Sequence, residues 1–449
     1  MPLRPSAAPP RTRARRGLGR GAAAGLVVVV LAASCSAPTE PAEPVEQVEP
    51  AEPVEPAEPV APTEPAEPTE QAEPTEPVPT TAPGGPEDLV GTWGAGVTRT
   101  DAELDGRTAR NVLRTGVGGE DLRVALSNVL GTGPVTLDAS VALHAGGGAI
   151  EPGSVRELMF GGEPRVLLAP GEEVLSDPLA GRWAEQLDLA VSVHVDGDPG
   201  PVSGHVFAMQ TSYVSEPGDR TEQEGADAFT TEATSWYFVD GVVVTGAPGA
   251  TSVVAFGDSI TDGFGSTPGA DRRWPDLLAR RLLEDPAHEG TGVVNAGISG
   301  NQLLADGAGP SGLARFNREA LAVPGVETVV LLLGVNDLYF GGTAEEVVAG
   351  LRRLVERAHA QGTCVVGGTL LPFEEPGPAF QAERRAVNAW IRRSEELDGV
   401  VDFDAATRDP DDPDALLPAY DSGDGLHPGD AGYRAMADAV DLAALACER

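Results

Sequence analysis

A serine follows an apolar, strand-like run at a place where its hydroxyl could act as a nucleophile. Residues 253–263 read VVAFGDSITDG, so that a run rich in β-branched residues ends in Gly-Asp-Ser. A buried parallel strand typically delivers a polar side chain to the carboxyl edge of a sheet in this way. A serine hydroxyl needs a positioned imidazole, and a group that orients the imidazole, to become a good nucleophile. Ser259 is the candidate nucleophile, and we expect Asp258 to brace the turn through backbone N–H groups, with a role as general base as the alternative.

A histidine and a carboxylate with suitable spacing lie near the C-terminus. Residues 421–430 read DSGDGLHPGD, and Asp424 lies three residues before His427 in a Gly-rich turn. One short loop can thus carry both a general base and the residue that orients it. We expect the remaining histidines to be core or surface residues, namely His144, His194, His205, His288 and His359.

Two further stretches can supply hydrogen-bond donors for an oxyanion. Residues 295–301 read NAGISGN after a second apolar run, and residues 334–337 read GVND after a third. Gly300 has no side chain and can bring its backbone N–H close to a reacting carbonyl, while the Asn336 amide can donate a second hydrogen bond. The backbone N–H of Ser259 completes the predicted oxyanion hole.

These stretches resemble the four sequence blocks of the SGNH (GDSL-type) hydrolase family. The matching residues, in family order, are Gly257-Asp258-Ser259-Ile260, Gly300, Gly334-Val335-Asn336-Asp337 and Asp424-Gly425-Leu426-His427. The resemblance covers Thr251 to the C-terminus. It implies serine ester hydrolysis on a flavodoxin-like sheet and does not identify the ester. The sequence contains no evident metal cluster, and we expect no cofactor.

The elements that must position these residues alternate between strand and helix. The predicted strands are Ser252–Phe256, Gly292–Asn295, Thr328–Leu333, Cys364–Thr369 and Val400–Phe403. The predicted helices are Trp274–Glu284, Leu313–Leu321, Ala344–Ala360, Ala379–Glu396 and Ala431–Ala446. The alternation predicts a three-layer α/β/α domain with a parallel five-stranded sheet over residues 250–449. All candidate residues then fall at the carboxyl ends of the strands, where such sheets bind ligands.

Residues 87–249 show a different pattern. Short runs with alternating apolar and polar residues lie between Gly, Pro and Asp turns, which favours a jelly-roll-like β-sandwich. The predicted strands are 109–115, 122–130, 135–143, 165–168, 188–195 and 236–244. Similar all-β modules precede the catalytic part in some carbohydrate esterases of the family, which suggests a role in holding substrate. A module for packing and stability is the alternative.

The first 86 residues are not expected to add to a folded core. Residues 1–20 hold six arginines and no acid, and a thirteen-residue apolar stretch follows, so residues 1–35 are typical of a signal peptide. The apolar stretch is too short for a membrane span. Residues 36–86 carry twelve glutamates in a Pro-rich repeat, which predicts a disordered, semi-rigid linker.

The leader also predicts the location of the protein. The residues LAASC that end it resemble a bacterial lipoprotein signal, in which the cysteine is acylated. We therefore expect an exported, cell-surface lipoprotein that is anchored to the membrane at Cys35, with plain secretion as the alternative.

The net charge limits the kinds of partner that the protein can bind. The formal net charge is −38, which repels nucleic acid and anionic lipid surfaces but not a neutral glycan or acyl ester. We expect a monomer whose only membrane contact is the lipid anchor.

Cys364 and Cys447 are expected at the sheet edge opposite the candidate site, where either a disulfide or two buried thiols fit an exported protein.

The sequence thus predicts a serine esterase that forms an acyl-enzyme. Deacetylation of a carbohydrate, or cleavage of short acyl esters, is the first interpretation. A lipase or lysophospholipase type of lipid ester hydrolase is the second. A non-catalytic surface protein that binds glycans is the third, and the intact serine, aspartate and histidine argue against it.

Overall fold

The computed structural model of the protein describes residues 88–373 and 376–447. The predicted signal peptide (1–35), with Cys35, and the predicted linker (36–86) lie outside the described residues. Among the described residues, no helix combines the length and the apolar character needed to cross a lipid bilayer.

The chain before residue 250 folds into antiparallel sheets. Sixteen strands form sheets of five, eight and three strands. The strands are β1 (Leu89–Gly94), β2 (Thr98–Thr100), β3 (Thr108–Arg114), β4 (Gly119–Ser127), β5 (Val135–Gly146), β6 (Ala149–Ile150), β7 (Arg156–Glu157), β8 (Arg165–Leu168), β9 (Glu173–Leu175), β10 (Leu179–Trp183), β11 (Asp188–Val195), β12 (Val202–Val206), β13 (Ser212–Val214), β14 (Thr231–Ala233), β15 (Ser235–Tyr237) and β16 (Val239–Thr245). We refer to β1–β16 with their loops as the β-region. Buried side chains from its sheets share one hydrophobic core, in which Trp93 and Trp236 meet edge to face.

One predicted strand of the β-region is wrong in its extent. The run predicted over 236–244 is divided at Phe238, whose φ of 61° lies in the left-handed region. At Phe238 this conformation interrupts the extended backbone. The chain therefore leaves β15, which pairs with β12, and enters β16, which pairs with β1 and β4.

After the β-region, strands and helices alternate as the sequence predicts. The strands are β17 (Ser252–Gly257), β18 (Gly292–Gly297), β19 (Val326–Leu332), β20 (Cys364–Gly368) and β21 (Gly399–Val401). The helices are α1 (Ser259–Asp262), α2 (Trp274–Glu284), α3 (Gly312–Phe316), α4 (Val335–Tyr339), α5 (Ala344–Ala360), α6 (Pro378–Ile391), α7 (Phe403–Thr407) and α8 (Asp430–Ala439). Short 3₁₀ turns occur at Pro286–His288 and Leu442–Leu445, and a π turn at Asn317–Leu321.

The five strands are parallel and run in the order β18-β17-β19-β20-β21. This is the flavodoxin-like order, in which the second strand of the chain lies outside the first. All six residues of β17 are buried, which requires helices on both faces. Helix α2 packs with α8 and α5 packs with α6, so the layers are helix, sheet and helix.

Several helices differ from the prediction. Helices α2 and α5 have the predicted bounds, but α8 ends at Ala439, where the chain turns before a short 3₁₀ segment. Helix α6 ends at Ile391 rather than at Glu396. Helices α4 and α7 were not predicted, because five residues are too few to show helical periodicity.

The two cysteines of the parallel-sheet region lie together. Cys364 begins β20, and its sulfur forms a disulfide with that of Cys447, the two Cα atoms being 5.7 Å apart. Because Cys364 is at the amino end of its strand, the bond lies at the edge opposite the candidate site.

The β-region packs directly on the parallel sheet. Strand β1 lies against the edge strand β18, and the Gly91 N–H donates to the Ser252 Oγ over 2.9 Å. The approach depends on glycine, since a Cβ at Gly292 would lie 2.0 Å from the Gly91 carbonyl oxygen. This contact brings loops of the β-region near the carboxyl ends of β17 and β18.

Candidate active site

The predicted site residues meet at the carboxyl edge of the parallel sheet. Ser259 begins α1 directly after β17, Gly300 follows β18, and Asn336 lies in α4 after β19. Asp424 and His427 lie between α7 and α8, after the last strand. Four distant segments of the chain therefore converge where the topology predicts ligand binding.

Ser259, His427 and Asp424 form a continuous chain of hydrogen bonds. The Ser259 Oγ is 2.8 Å from the His427 Nε2, and the His427 Nδ1 is 2.6 Å from the Asp424 Oδ2. Because the carboxylate can only accept, Nδ1 carries the proton and Nε2 accepts from the hydroxyl. The arrangement can move the hydroxyl proton to an imidazole that a carboxylate orients.

The turn that carries Ser259 is braced as predicted. The Asp258 Oδ1 accepts from the Ile260 N–H over 3.1 Å and caps α1. Burial raises the pKa of the Asp258 carboxyl to about 7, although the Ile260 N–H and His427 act to lower it. Asp258 is therefore a buried bracing residue beneath the candidate nucleophile.

The loop that carries Asp424 is held by its own carboxylates. The Asp424 Oδ1 accepts from the backbone N–H groups of Leu426 and His427, and Asp421 accepts from those of Gly423 and Gly425. Partial burial acts to raise the pKa of Asp424, but the hydrogen bonds from His427 and Leu426 outweigh it and lower the pKa to about 2. Asp424 therefore stays ionised throughout the neutral range.

The predicted oxyanion donors are brought to neighbouring turns. Gly300 has a φ of 77°, which favours glycine, and no acceptor among the described residues pairs with its N–H or with that of Ser259. The Asn336 Nδ2 donates to the Asn301 carbonyl oxygen over 2.9 Å, which uses one of its two hydrogens. The other hydrogen is left for a ligand.

A buried arginine that the sequence did not single out ties these turns together. Arg315, in α3, is fully buried and donates to the carbonyl oxygens of Gly257 and Ala296 and to the Asn301 side chain. Glu319 accepts from it over 2.7 Å and balances its charge. An arginine four residues before a glutamate is usually read as an exposed helical pair. No sequence signal therefore identified it.

The Phe264 ring contacts His427, and a ring from the β-region, that of Phe207, contacts Phe264 in turn. The Phe264 ring lies 4.8 Å from the imidazole, centroid to centroid, and the Phe207 ring lies 5.9 Å from that of Phe264. Phe207 follows β12 in the β-region and is 45% exposed. The β-region therefore contributes a side chain to the surroundings of the site, which the sequence left open.

Among residues 88–373 and 376–447, no group of three or more His, Cys, Asp or Glu side chains is arranged to hold a metal ion. His205, predicted to be a core or surface residue, is buried as a core residue, but it has a carboxylate partner in Asp262.

Comparison with known proteins identifies the part of the chain that contains this site. Residues 255–435 match the model of the GDSL-like Lipase/Acylhydrolase family. No curated protein is significantly similar to the chain in sequence.

Several solved structures are similar to a part of this chain. A lipolytic protein of the G-D-S-L family from Desulfitobacterium hafniense is 23% identical, with 42% of this chain and 97% of that chain covered and a TM-score of 0.35. A lipolytic protein of the G-D-S-L family from Veillonella parvula is 22% identical, with 42% and 96% covered and a TM-score of 0.34. LAE5, an alpha/beta hydrolase enzyme from the metagenome of Lake Arreo, is 24% identical, with 44% and 98% covered and a TM-score of 0.35. Residues 255–435 are therefore a GDSL-like lipase/acylhydrolase domain, and an ester hydrolase is the class of enzyme that this domain indicates.

Proposed function

We propose that the protein is a serine esterase in which Ser259, His427 and Asp424 form the catalytic triad. The observation that carries the proposal is the unbroken hydrogen-bond chain from the Ser259 Oγ through both ring nitrogens of His427 to the Asp424 carboxylate. Ser259 is 6% exposed, so its hydroxyl is reachable but largely shielded from water. Few arrangements other than acyl transfer need these three groups in this order.

The reaction proceeds through an acyl-enzyme. As the Ser259 Oγ attacks the ester carbonyl carbon, the His427 Nε2 takes the hydroxyl proton. Collapse of the tetrahedral intermediate breaks the carbon–oxygen bond of the ester, and His427 returns the proton to the leaving alcohol. Water then attacks the acyl group as His427 takes a proton from it, and His427 gives that proton to the Ser259 Oγ as the acid is released. Asp424 stabilises the imidazolium in both halves.

The backbone N–H groups of Ser259 and Gly300, with the Asn336 amide, stabilise the oxyanion. The free N–H groups of Ser259 and Gly300, and the second hydrogen of the Asn336 amide, support this role. Donors of this kind each lower the barrier by about 3–4 kcal/mol. One hydrogen of the Asn336 amide is hydrogen-bonded to the Asn301 carbonyl oxygen, and this bond fixes the direction of the other hydrogen.

The aromatic side chains beside His427 favour a carbohydrate ester with a small acyl group. Because His427 protonates the leaving alcohol, Phe264 and Phe207 lie on the side where the alcohol part of the ester binds. A half-exposed aromatic ring offers a flat apolar face for a sugar ring, and the strongly acidic chain repels anionic lipid surfaces. Deacetylation of a carbohydrate is therefore the preferred activity.

The remaining parts fit an exported enzyme. We infer that the antiparallel sheets of the β-region form a jelly-roll-like sandwich (87–249) that frames the alcohol side of the site in 250–449. The Pro- and Glu-rich residues 36–86 serve as a spacer, and acylation of Cys35 after removal of residues 1–34 anchors a monomer at the cell surface.

A series of substrates tests the proposed substrate class. We expect kcat/KM to be highest for p-nitrophenyl acetate, to fall for the butyrate and octanoate, and acetate to be released from acetylated xylan. Phe207→Ala should raise the KM for acetylated xylan about 2- to 10-fold with little change in kcat, because an aromatic contact contributes about 0.5–1.5 kcal/mol.

The control is Leu167→Ala in β8, which removes a similarly exposed apolar side chain of the β-region. It should leave both constants unchanged. Preference for the octanoate would favour a lipid ester hydrolase instead, and binding of xylan without hydrolysis of any ester would favour a glycan-binding protein.

A further inference from the structure

A histidine of the β-region is buried against the segment that carries the nucleophile. His205 lies in β12 and is 3% exposed. Its Nε2 is 2.9 Å from the Oδ1 of Asp262, which lies three residues after Ser259 and is 1% exposed. Its Nδ1 is 2.7 Å from the Gly96 carbonyl oxygen.

The partners of the ring fix its protonation. A carbonyl oxygen can only accept, so the His205 Nδ1 carries a proton. The Oδ2 of Asp262 already accepts from the backbone N–H and the hydroxyl of Ser299, at 2.9 and 2.6 Å. Oδ1 is the remaining oxygen of Asp262, and we assign the proton of its contact with His205 to the Nε2, which then donates to Oδ1. The two residues form an imidazolium–carboxylate pair.

Asp262 joins the two turns that carry the backbone oxyanion donors. It belongs to α1, which Ser259 begins, and its Oδ2 holds Ser299, the residue directly before Gly300. The backbones also touch closely, since a Cβ at Gly297 would lie 2.2 Å from the Asp262 nitrogen. Asp262 therefore helps Arg315 to fix the position of Gly300 relative to Ser259.

We propose that His205 is a positioning residue for ester hydrolysis, because its buried imidazolium holds the Asp262 carboxylate in the form that fixes Gly300 beside Ser259. The inference rests on the proposed function. The β-region would then help to position the active-site residues through His205, and would also contact the substrate through Phe207. Without the positive charge, Asp262 would be a buried, unbalanced carboxylate, which is strongly unfavourable.

The electrostatic surroundings agree with this role. Burial alone would lower the pKa of His205, but Asp262 and the Gly96 carbonyl together outweigh it and raise the pKa. Arg273 acts to lower this pKa, and its own charge is balanced by Asp276. Tyr433, near Asp262, is buried and stays neutral because burial raises its pKa well above 10. Because Asp262 and the Gly96 carbonyl raise the pKa of His205, the charge of the pair is lost only as the pH rises through that raised pKa.

The test compares His205→Gln, Asp262→Asn and the double variant with p-nitrophenyl acetate as substrate. A glutamine keeps a donor but has no charge, so we expect His205→Gln to lower kcat about 10- to 100-fold with KM changed less than about 2-fold.

Wild-type kcat should fall at alkaline pH as His205 deprotonates, and this alkaline limb of the pH profile should be absent in His205→Gln. The loss in the double variant should be smaller than the product of the single losses, because it removes both charges together.

The matched control is His194→Gln, which replaces another buried histidine of the β-region that hydrogen-bonds to Arg107 rather than to the site. It should keep the wild-type kcat and alkaline limb. If His205→Gln does not fold, the double variant carries the test and should fold with a reduced kcat and no alkaline limb.

Two results would overturn the inference: a wild-type kcat in the folded variants, or a lower melting temperature with an unchanged alkaline limb. If either result is found while Ser259→Ala abolishes activity, the role of His205 is rejected and the proposed function is kept. Activity that survives Ser259→Ala would reject the proposed function itself.

Discussion

Replacing Ser259 by alanine is expected to lower kcat for p-nitrophenyl acetate by a factor on the order of 10⁶, as for other serine nucleophiles. The hydroxyl is the attacking atom, and no neighbouring group can replace it 2.8 Å from the His427 Nε2. KM and the melting temperature should change little, because the substitution removes a single oxygen. Steady-state kinetics and a thermal melt on the same preparation measure all three quantities.

The control for this prediction is Ser422→Ala. Ser422 is an exposed serine in the same loop as His427 and uses its backbone N–H, not its hydroxyl, to bind the His427 carbonyl oxygen. It should keep wild-type kinetics. Retention of more than a few per cent of wild-type kcat by Ser259→Ala would contradict the assignment of the nucleophile.

Asp424→Asn is expected to have the second largest effect, a loss in kcat of about 10³- to 10⁴-fold at an almost unchanged KM. An amide at this position can donate to the His427 Nδ1, which favours the tautomer that cannot accept the Ser259 proton, and it cannot stabilise an imidazolium. The Asp424 side chain is 44% exposed, so water can replace part of its effect, which favours the lower end of this range.

The pH profile adds a check on this variant. Because the pKa of Asp424 is lowered to about 2, its charge is kept as the pH falls until well below 4. The acid limb of wild-type activity must therefore come from protonation of another group. Asp421→Asn is the control, since the described donors to the Asp421 side chain are backbone N–H groups of the same loop. A loss from Asp421→Asn that equals the loss from Asp424→Asn would indicate that loop shape, and not orientation of His427, explains the effect.

The parallel sheet could be predicted well because its signals are local. Each strand is an apolar run that ends at a glycine or a polar residue, and β17 extends only one residue beyond its predicted end. The bounds of α2 and α5 agree with the prediction because both helices show an apolar face over at least three turns.

Spacing alone did not define the site. Asp285 and His288 have the same three-residue separation as Asp424 and His427, and they also form a pair, at 3.4 Å. They precede β18 and therefore lie at the amino edge of the sheet, away from Ser259. The position of each motif relative to the strands distinguishes the proposed catalytic pair, Asp424 and His427, from Asp285 and His288.

The β-region was the least predictable part. Six strands were expected and sixteen are present, many of them two or three residues long, which is too short for alternation to be visible. The pairing of His205 with Asp262 joins residues 57 positions apart and depends on packing between the β-region and the parallel sheet. Neither residue carries a local signal of this contact, and the same is true of Arg315.

The central claim is that the Ser259 Oγ is the nucleophile that carries the acyl group in the acyl-enzyme. Covalent labelling with a fluorophosphonate, followed by mass spectrometry of the peptides, tests it most directly. The account predicts one adduct, on the peptide that contains Ser259, formed in parallel with loss of esterase activity and strongly reduced in His427→Ala. An adduct on a different serine, or full loss of activity without any adduct on Ser259, would contradict it.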